Sequence, residues 1–163
     1  DAPSEIQDFR TTYQIRFGGI RKPRLGNTEL LEYARSQSNW ILPGGEELYA
    51  DGRNLNFANE SLRNWYVDLQ QHYIDENVSF FWNDEGETDY YTFHNWALAQ
   101  IQNLQNTYHR YFSLNRAWTP GMSRLGSAVW TGDIEATWND LAQTPGIMLS
   151  WSFSGMPFVT CKC

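Results

Sequence analysis

A chain of 163 residues is long enough to bury one sizeable core, and its 12 basic against 19 acidic residues leave a formal charge of −7. That balance excludes a nucleic-acid partner, because neutralising phosphates needs clustered Lys and Arg and the knot at Arg21, Lys22 and Arg24 is too short. With no apolar run of 18 residues a membrane span is not expected, the opening DAPSEIQ lacks the pattern of a secretory leader, and Cys161 and Cys163 are too few and too close for a disulfide scaffold or a metal site, so neither metal nor cofactor is expected.

Along the chain, residues 1 to 27 read as mixed, with a strand at Tyr13 to Phe17 running into Gly18-Gly19 and a loop punctuated by Pro23 and Gly26. Asn27 or Thr28 caps a short helix, Thr28 to Ser36, with Leu30, Leu31 and Ala34 on one face. Trp40 to Leu42 reads as a short strand closed by Pro43-Gly44-Gly45, and Asp51-Gly52 marks a turn. Asn59 or Ser61 caps the next helix, where Leu62, Trp65, Tyr66, Leu69, Tyr73 and Ile74 recur at helical spacing until Asn77.

Then comes VSFFWNDEGE, an apolar run from Val78 that stops on Asn83, Asp84, Glu85 and Glu87. It has the form of a buried strand delivering carboxylates at its carboxyl end, which is where barrel enzymes place their chemistry. Thr92 to His109 is strongly periodic, with Phe93, Trp96, Ala97, Ala99, Ile101 and Leu104 on its apolar positions. A short apolar run, Tyr111 to Leu114, ends at Asn115-Arg116, and Pro120-Gly121 turns the chain into a strand at Ser127 to Thr131 that ends on Asp133. Glu135 to Leu141 and Ile147 to Phe153 read as two helical segments, and Pro157 to Cys161 as a last strand. Strands and helices in regular alternation predict parallel β/α units.

The residues by themselves leave the chemistry open. An Asp after a strand is most often a cap or turn former, and nothing local chooses among Asp84, Glu85 and Glu87. His72, His94 and His109 lie on helical segments and read as surface or core-edge residues. The 8 Trp, 9 Tyr and 9 Phe exceed what a core of this size uses, and flat aromatic faces suit the apolar C–H surface of sugar rings, although any single Trp serves equally as core.

Three segments carry a family likeness: FFWNDEGE, SLNRAWTPGMSRLGSAVWTGDIEATWNDL and PGIMLSWSFSGMPFVTC, across about residues 43 to 161. They closely resemble the catalytic barrel of glycoside hydrolase family 31. The resemblance implies an α/β fold, a (β/α)8 TIM barrel, of which residues 1–163 form a single domain from its central to C-terminal part. A whole barrel takes about 250 residues, so about five of eight strands are expected here. The implied activity is retaining hydrolysis of α-linked oligosaccharides or glycans, of α-glucosidase, α-galactosidase or α-N-acetylgalactosaminidase type, with Asp84 as nucleophile and Asp133 as acid/base. Arg116 would contact sugar hydroxyls and the acid/base region, Trp82 and Trp130 would line the sugar pocket, and Glu85 would stand beside the nucleophile.

Such a mechanism needs two carboxyl groups about 5 to 5.5 Å apart with different proton affinities. An Arg near one, with Arg116 as the natural tuner, and an apolar or like-charged setting for the other is therefore expected. The partners implied are an α-linked carbohydrate substrate and, to complete the barrel, the remaining segments of the same enzyme or further copies of the chain. Two departures stand out. The chain reads VTCKC where the family reads V-x-x-D-I-G-G-F, so Lys162 occupies the place of a sugar-contacting Asp, and the eighth-strand His of the family has no counterpart. An inert truncated barrel serving as a sugar-binding or assembly domain is the alternative. The short interval between Asp84 and Asp133 resembles the α-galactoside or α-N-acetylgalactosaminide branch.

Overall fold

The computed structural model describes residues 2–43, 52–107 and 111–162. The apolar runs lie side by side in one parallel sheet. Its strands are β1 (Phe17–Arg21), β2 (Val78–Asn83), β3 (Ser113–Asn115), β4 (Ser127–Trp130) and β5 (Val159–Thr160), in the order β1-β2-β3-β4-β5. The helices are α1 (Ala2–Thr12), α2 (Thr28–Ser36), α3 (Glu60–Asp75), α4 (Thr92–Thr107) and α5 (Trp138–Phe153), with a 3-10 turn at Met122–Leu125. The fold class is α/β, and each parallel neighbour is reached through a crossover, as the alternation predicted.

The local signals for α2 and α3 hold. Asn27 accepts from the Leu30 amide at 3.0 Å and Asn59 from the Leu62 amide at 3.2 Å, satisfying donors that the first helical turn leaves over. Elsewhere packing overrides local pattern. β1 begins where the expected Tyr13–Phe17 strand ends and runs through Gly18-Gly19, because the ring of Phe80 on β2 fills the space that a Cβ on Gly18 would need. Residues 2–12, read as mixed, are helical, and Phe9 packs on Phe17 with ring centroids 5.5 Å apart. Trp40 to Leu42 does not join the sheet: Ile41 makes one antiparallel bridge with Leu55.

The two segments expected at Glu135–Leu141 and Ile147–Phe153 are one helix, α5, continuing through Pro145. Its start moves to Trp138 because Thr137 caps the Asp140 amide at 3.2 Å and Asp140 in turn accepts from the Glu135 amide at 2.7 Å. The expected Pro43-Gly44-Gly45 closure, Asp51 and His109 fall wholly or partly outside the described residues.

One side of the sheet is packed. Phe81 and Val129 point toward α3 and α4, where Leu62, Tyr66, Trp96 and Ala97 are buried. Trp96 is fully buried, and its indole N–H donates to the Tyr66 hydroxyl at 3.0 Å. On the same side Asn83 and Gln100 exchange two amide hydrogen bonds of 2.8 Å, and Asn83 donates a third to Asn115 Oδ1 at 2.8 Å, so β2 is tied to both α4 and β3. Asn83→Ala would leave the Gln100 amide and an Asn115 oxygen buried without these partners, an expected loss of about 3 kcal/mol. Urea unfolding of the chain, read as a lower midpoint at unchanged slope, checks this.

The opposite side carries Ile20, Phe80, Trp82, Phe112, Leu114, Ala128 and Trp130 in register, the inner face of a barrel. Phe80 stacks on Phe112 at 4.7 Å, while Ile20 and Phe112 remain exposed. The sheet is open at β1 and β5, and α5 presents Trp138 at 86% and Phe153 at 88% exposure. The five strands form an arc of a barrel rather than a closed one.

Candidate active site

Because β2, β3 and β4 are parallel, their carboxyl ends emerge on one side. The register that pairs Asn83 with Asn115 and Asn115 with Val129 places Asp84 and Arg116 next to each other just beyond the strands. The ladder extends past both. The Asp84 amide donates to the Arg21 carbonyl at 2.9 Å, and the Arg116 amide to the Asn83 carbonyl at 3.2 Å.

Arg116 is the centre of the site. Its Nη1 donates to Asp84 Oδ1 at 3.1 Å, its Nε lies 3.2 Å from Glu87 Oε1, and its Nη2 lies 3.7 Å from Asp133 Oδ2. One planar fork thus faces both aspartates from between the strand ends. Asp133 reaches it because Gly132 takes φ +78°, a left-handed turn that favours glycine and bends the chain back after Trp130. Burial pulls the Arg116 guanidinium toward its neutral form, but the hydrogen bond to Asp84 and the charges of Glu87, Asp84 and Asp133 outweigh it and hold the proton more firmly than usual.

Asp133 departs from the expected setting. Lys162 Nζ donates to its Oδ1 at 2.7 Å, and this bond and charge, aided by Arg116, hold the exposed Asp133 carboxyl below its ordinary range. An apolar or like-charged surrounding is thus not what the fold supplies; a lysine from the end of β5 stands there instead. Since the folded carboxyl is the more acidic, the pair stabilises the fold above the unfolded-state titration and loses that contribution as pH falls through the folded one. Both partners are more than half exposed, so the contribution is small and weakens with salt. Lys162→Met is expected to move the Asp133 titration upward toward an ordinary aspartate, measured by carboxyl-carbon NMR.

Glu85 does not join the Arg116 cluster. Its carboxylate is ion-paired with Lys22 and Arg24 from the loop after β1, and its amide donates to Asp84 Oδ1 at 2.9 Å. Glu87, one of the three acids that local reading could not separate, takes the Arg116 Nε instead. Beside it opens a cavity of about 390 Å³ lined by Glu87, Asp89, Tyr90, Phe93 and Trp118 among others. Trp82 and Trp130 pack edge to face on the inner face at 5.5 Å and 77°, and both buried indole N–H groups lack an acceptor among the described residues. They are two donors pointing at no protein partner in a face otherwise apolar.

His72 and His94 keep away from this cluster. His72 is exposed, with Nδ1 2.8 Å from the Leu69 carbonyl, and His94 sits at the edge of α4 near Thr119, with burial and then Arg124 disfavouring its charged form. Among the described residues no group of His, Cys, Asp and Glu could hold a metal ion, and no helix is long and apolar enough to cross a membrane.

A parallel arc thus carries a carboxylate beyond each of two strand ends with an arginine between them. The family model of the glycosyl hydrolases family 31 TIM-barrel domain matches residues 15–163. The chain belongs to glycosyl hydrolase family 31. Human neutral α-glucosidase C is 27% identical over 135 residues, a match covering 64% of this chain and 15% of that protein. An α-glucosidase of Hordeum vulgare is 43% identical over 56 residues, covering 34% of this chain and 6% of the relative.

Among solved structures, a family 31 α-xylosidase from a soil metagenome, complexed with xylose, superposes with a TM-score of 0.83 at 16% identity, covering 99% of this chain and 28% of that one. A family 31 α-glucosidase from Bacteroides thetaiotaomicron gives 0.77 at 19%, covering 98% and 31%. At such identities the superpositions show the shared fold. This family 31 chain therefore spans a minor part of its relatives' length and carries part of their TIM barrel, and the match extends the resemblance read from about residue 43 back to include β1 and α2.

Proposed function

We propose that the family 31 enzyme to which this arc contributes hydrolyses α-glucosides with retention of configuration, with Asp84 as nucleophile and Asp133 as acid/base. The observation that carries this reading is the convergence of Asp84 and Asp133 on the one guanidinium of Arg116, at the carboxyl ends of parallel strands. In the first step the Asp84 carboxylate bonds to the anomeric carbon while Asp133 gives its proton to the departing oxygen. In the second, ionised Asp133 takes a proton from water, the water oxygen bonds to the anomeric carbon, and Asp84 leaves as carboxylate. Trp82 and Trp130, packed edge to face on the inner face, supply an apolar floor for the sugar.

Lys162 favours the ionised Asp133 used by the second step, so the first step draws on a smaller protonated fraction. The limb on which activity falls with rising pH is then expected below its place in Lys162→Met. Relatives that carry α-glucosidase in their names support a gluco-configured substrate over the galacto preference expected from the interval between Asp84 and Asp133. Nitrophenyl α-glucoside and α-galactoside assayed on the complete enzyme test this, and faster turnover of the galactoside would reverse it. The 163 residues alone leave the inner face uncovered, so no turnover is expected from them; hydrolysis by the isolated chain that disappears in Asp84→Asn would overturn that. A complete enzyme that binds sugar but leaves both substrates intact would favour the inert sugar-binding reading.

A further inference from the structure

The residue after the proposed nucleophile has an unusual backbone. Glu85 sits at φ +55°, the left-handed region that favours glycine, although Gly86 follows immediately. Gly86 does not take a positive φ and serves instead where the chain passes close to a ring: a Cβ there would stand 2.9 Å from Phe93 Cζ. The left-handed residue must then be Glu85, whose long side chain cannot stabilise the turn locally as an Asn or Asp would.

What stabilises it comes from another strand. Lys22 meets one carboxylate oxygen of Glu85 and Arg24 the other, both from the loop after β1; Arg24 and Glu85 are partly buried, while Lys22 is exposed. The turn so held aims the Glu85 amide at Asp84 Oδ1, at 2.9 Å. Arg116 Nη1 reaches that same oxygen at 3.1 Å. Both donors fall on Oδ1, so among the described residues Oδ2 accepts no hydrogen bond and is the oxygen left to attack.

We infer that Glu85 is a positioning residue for Asp84, and that the Lys22–Glu85–Arg24 ion pairs brace the turn that presents Oδ2 to the anomeric carbon. The inference rests on the reading of Asp84 as nucleophile. In the complete enzyme, Glu85→Gln, which keeps shape and removes charge, is expected to lower kcat on the order of 10-fold with KM within about 2-fold, because misaimed reactants lose rate rather than binding. Exchanging the charges in Arg24→Glu with Glu85→Arg should return part of that loss, a rescue that a general stability defect would not give. Wild-type kcat in Glu85→Gln would overturn the inference.

Hydrogen exchange in the complete enzyme gives a second measurement, independent of activity and of whether the Glu85 variants fold. Hydrogen exchange of the Glu85 amide should be slow in the parent and faster by about 10-fold or more in Lys22→Met with Arg24→Met, because the turn opens without its brace. Unchanged protection would overturn the brace. Retained activity in Asp84→Asn would instead remove the nucleophile reading, leaving the exchange result to judge the turn alone.

Discussion

Asp84→Asn in the complete enzyme is expected to lower kcat/KM for nitrophenyl α-glucoside on the order of 10⁴-fold or more, with the protein folded as before. The magnitude follows from the role: an amide cannot form the glycosyl intermediate, and removing one member of a constellation that acts as a unit costs most of its effect. The fold should tolerate the change, because Asp84 lies beyond the end of β2 and Asn can still accept from the Glu85 amide and Arg116. Asp84→Gly supplies the complementary test. With azide present, the small anion can enter the vacated space and attack the anomeric carbon, giving a glycosyl azide of inverted configuration. Mass spectrometry of the trapped wild-type enzyme should find the sugar on the peptide that contains Asp84. A sugar on Glu85 or Glu87 would move the nucleophile to that residue.

Arg116→Ala is expected to have the second largest effect, a loss on the order of 10² to 10³ in kcat/KM, since it removes an electrostatic anchor shared by the reacting carboxylates. Three carboxylates, on Asp84, Glu87 and Asp133, surround this cation, and without it they face one another with Lys162 on Asp133 as the remaining close partner. Asp133 also loses one of the charges that hold its carboxyl below the ordinary range, so its folded titration moves up toward the unfolded one while Lys162 remains. A carboxyl with a lowered folded-state titration stabilises the fold above its unfolded titration, and the variant loses part of that contribution there while losing none of it in acid. The gap between parent and variant should therefore widen from acid toward neutral pH. Because Arg116 is about one third exposed, solvent screening keeps the neutral-pH loss near 1 to 2 kcal/mol. Arg116→Lys should not restore function, because a single ammonium cannot hold three carboxylates in the geometry of a planar fork. Urea unfolding at several pH values, alongside the kinetics, reads both consequences.

How much of this was legible in the chain depended on how local each cause is. The caps at Asn27 and Asn59 act on amides three residues away, and the apolar run of β2 sits in consecutive residues, so short-range pattern revealed them. The β1 boundary did not follow from its own residues, because Phe80, far along the chain, decides why Gly18 must be glycine. The separate helical segments on either side of Pro145 merged into α5, because a capped start and the continuing helix tolerate a proline that local pattern treats as a stop. The same division runs through the site. VSFFWNDEGE and WTGD announce carboxylates at strand ends, while the choice among Asp84, Glu85 and Glu87 was invisible in local chemistry.

The sequence by itself determined the parallel β/α alternation, the strand-end acids and the likeness to family 31, since each is written in contiguous residues. Only the tertiary structure decided which charges meet: Glu85 turned toward Lys22 and Arg24, Glu87 and both aspartates gathered on Arg116, and Lys162 set against Asp133. The physical reason is that electrostatic and hydrogen-bonding forces fall with distance in space, and the carboxyl ends of neighbouring strands come within about 5 Å of each other only when the sheet forms.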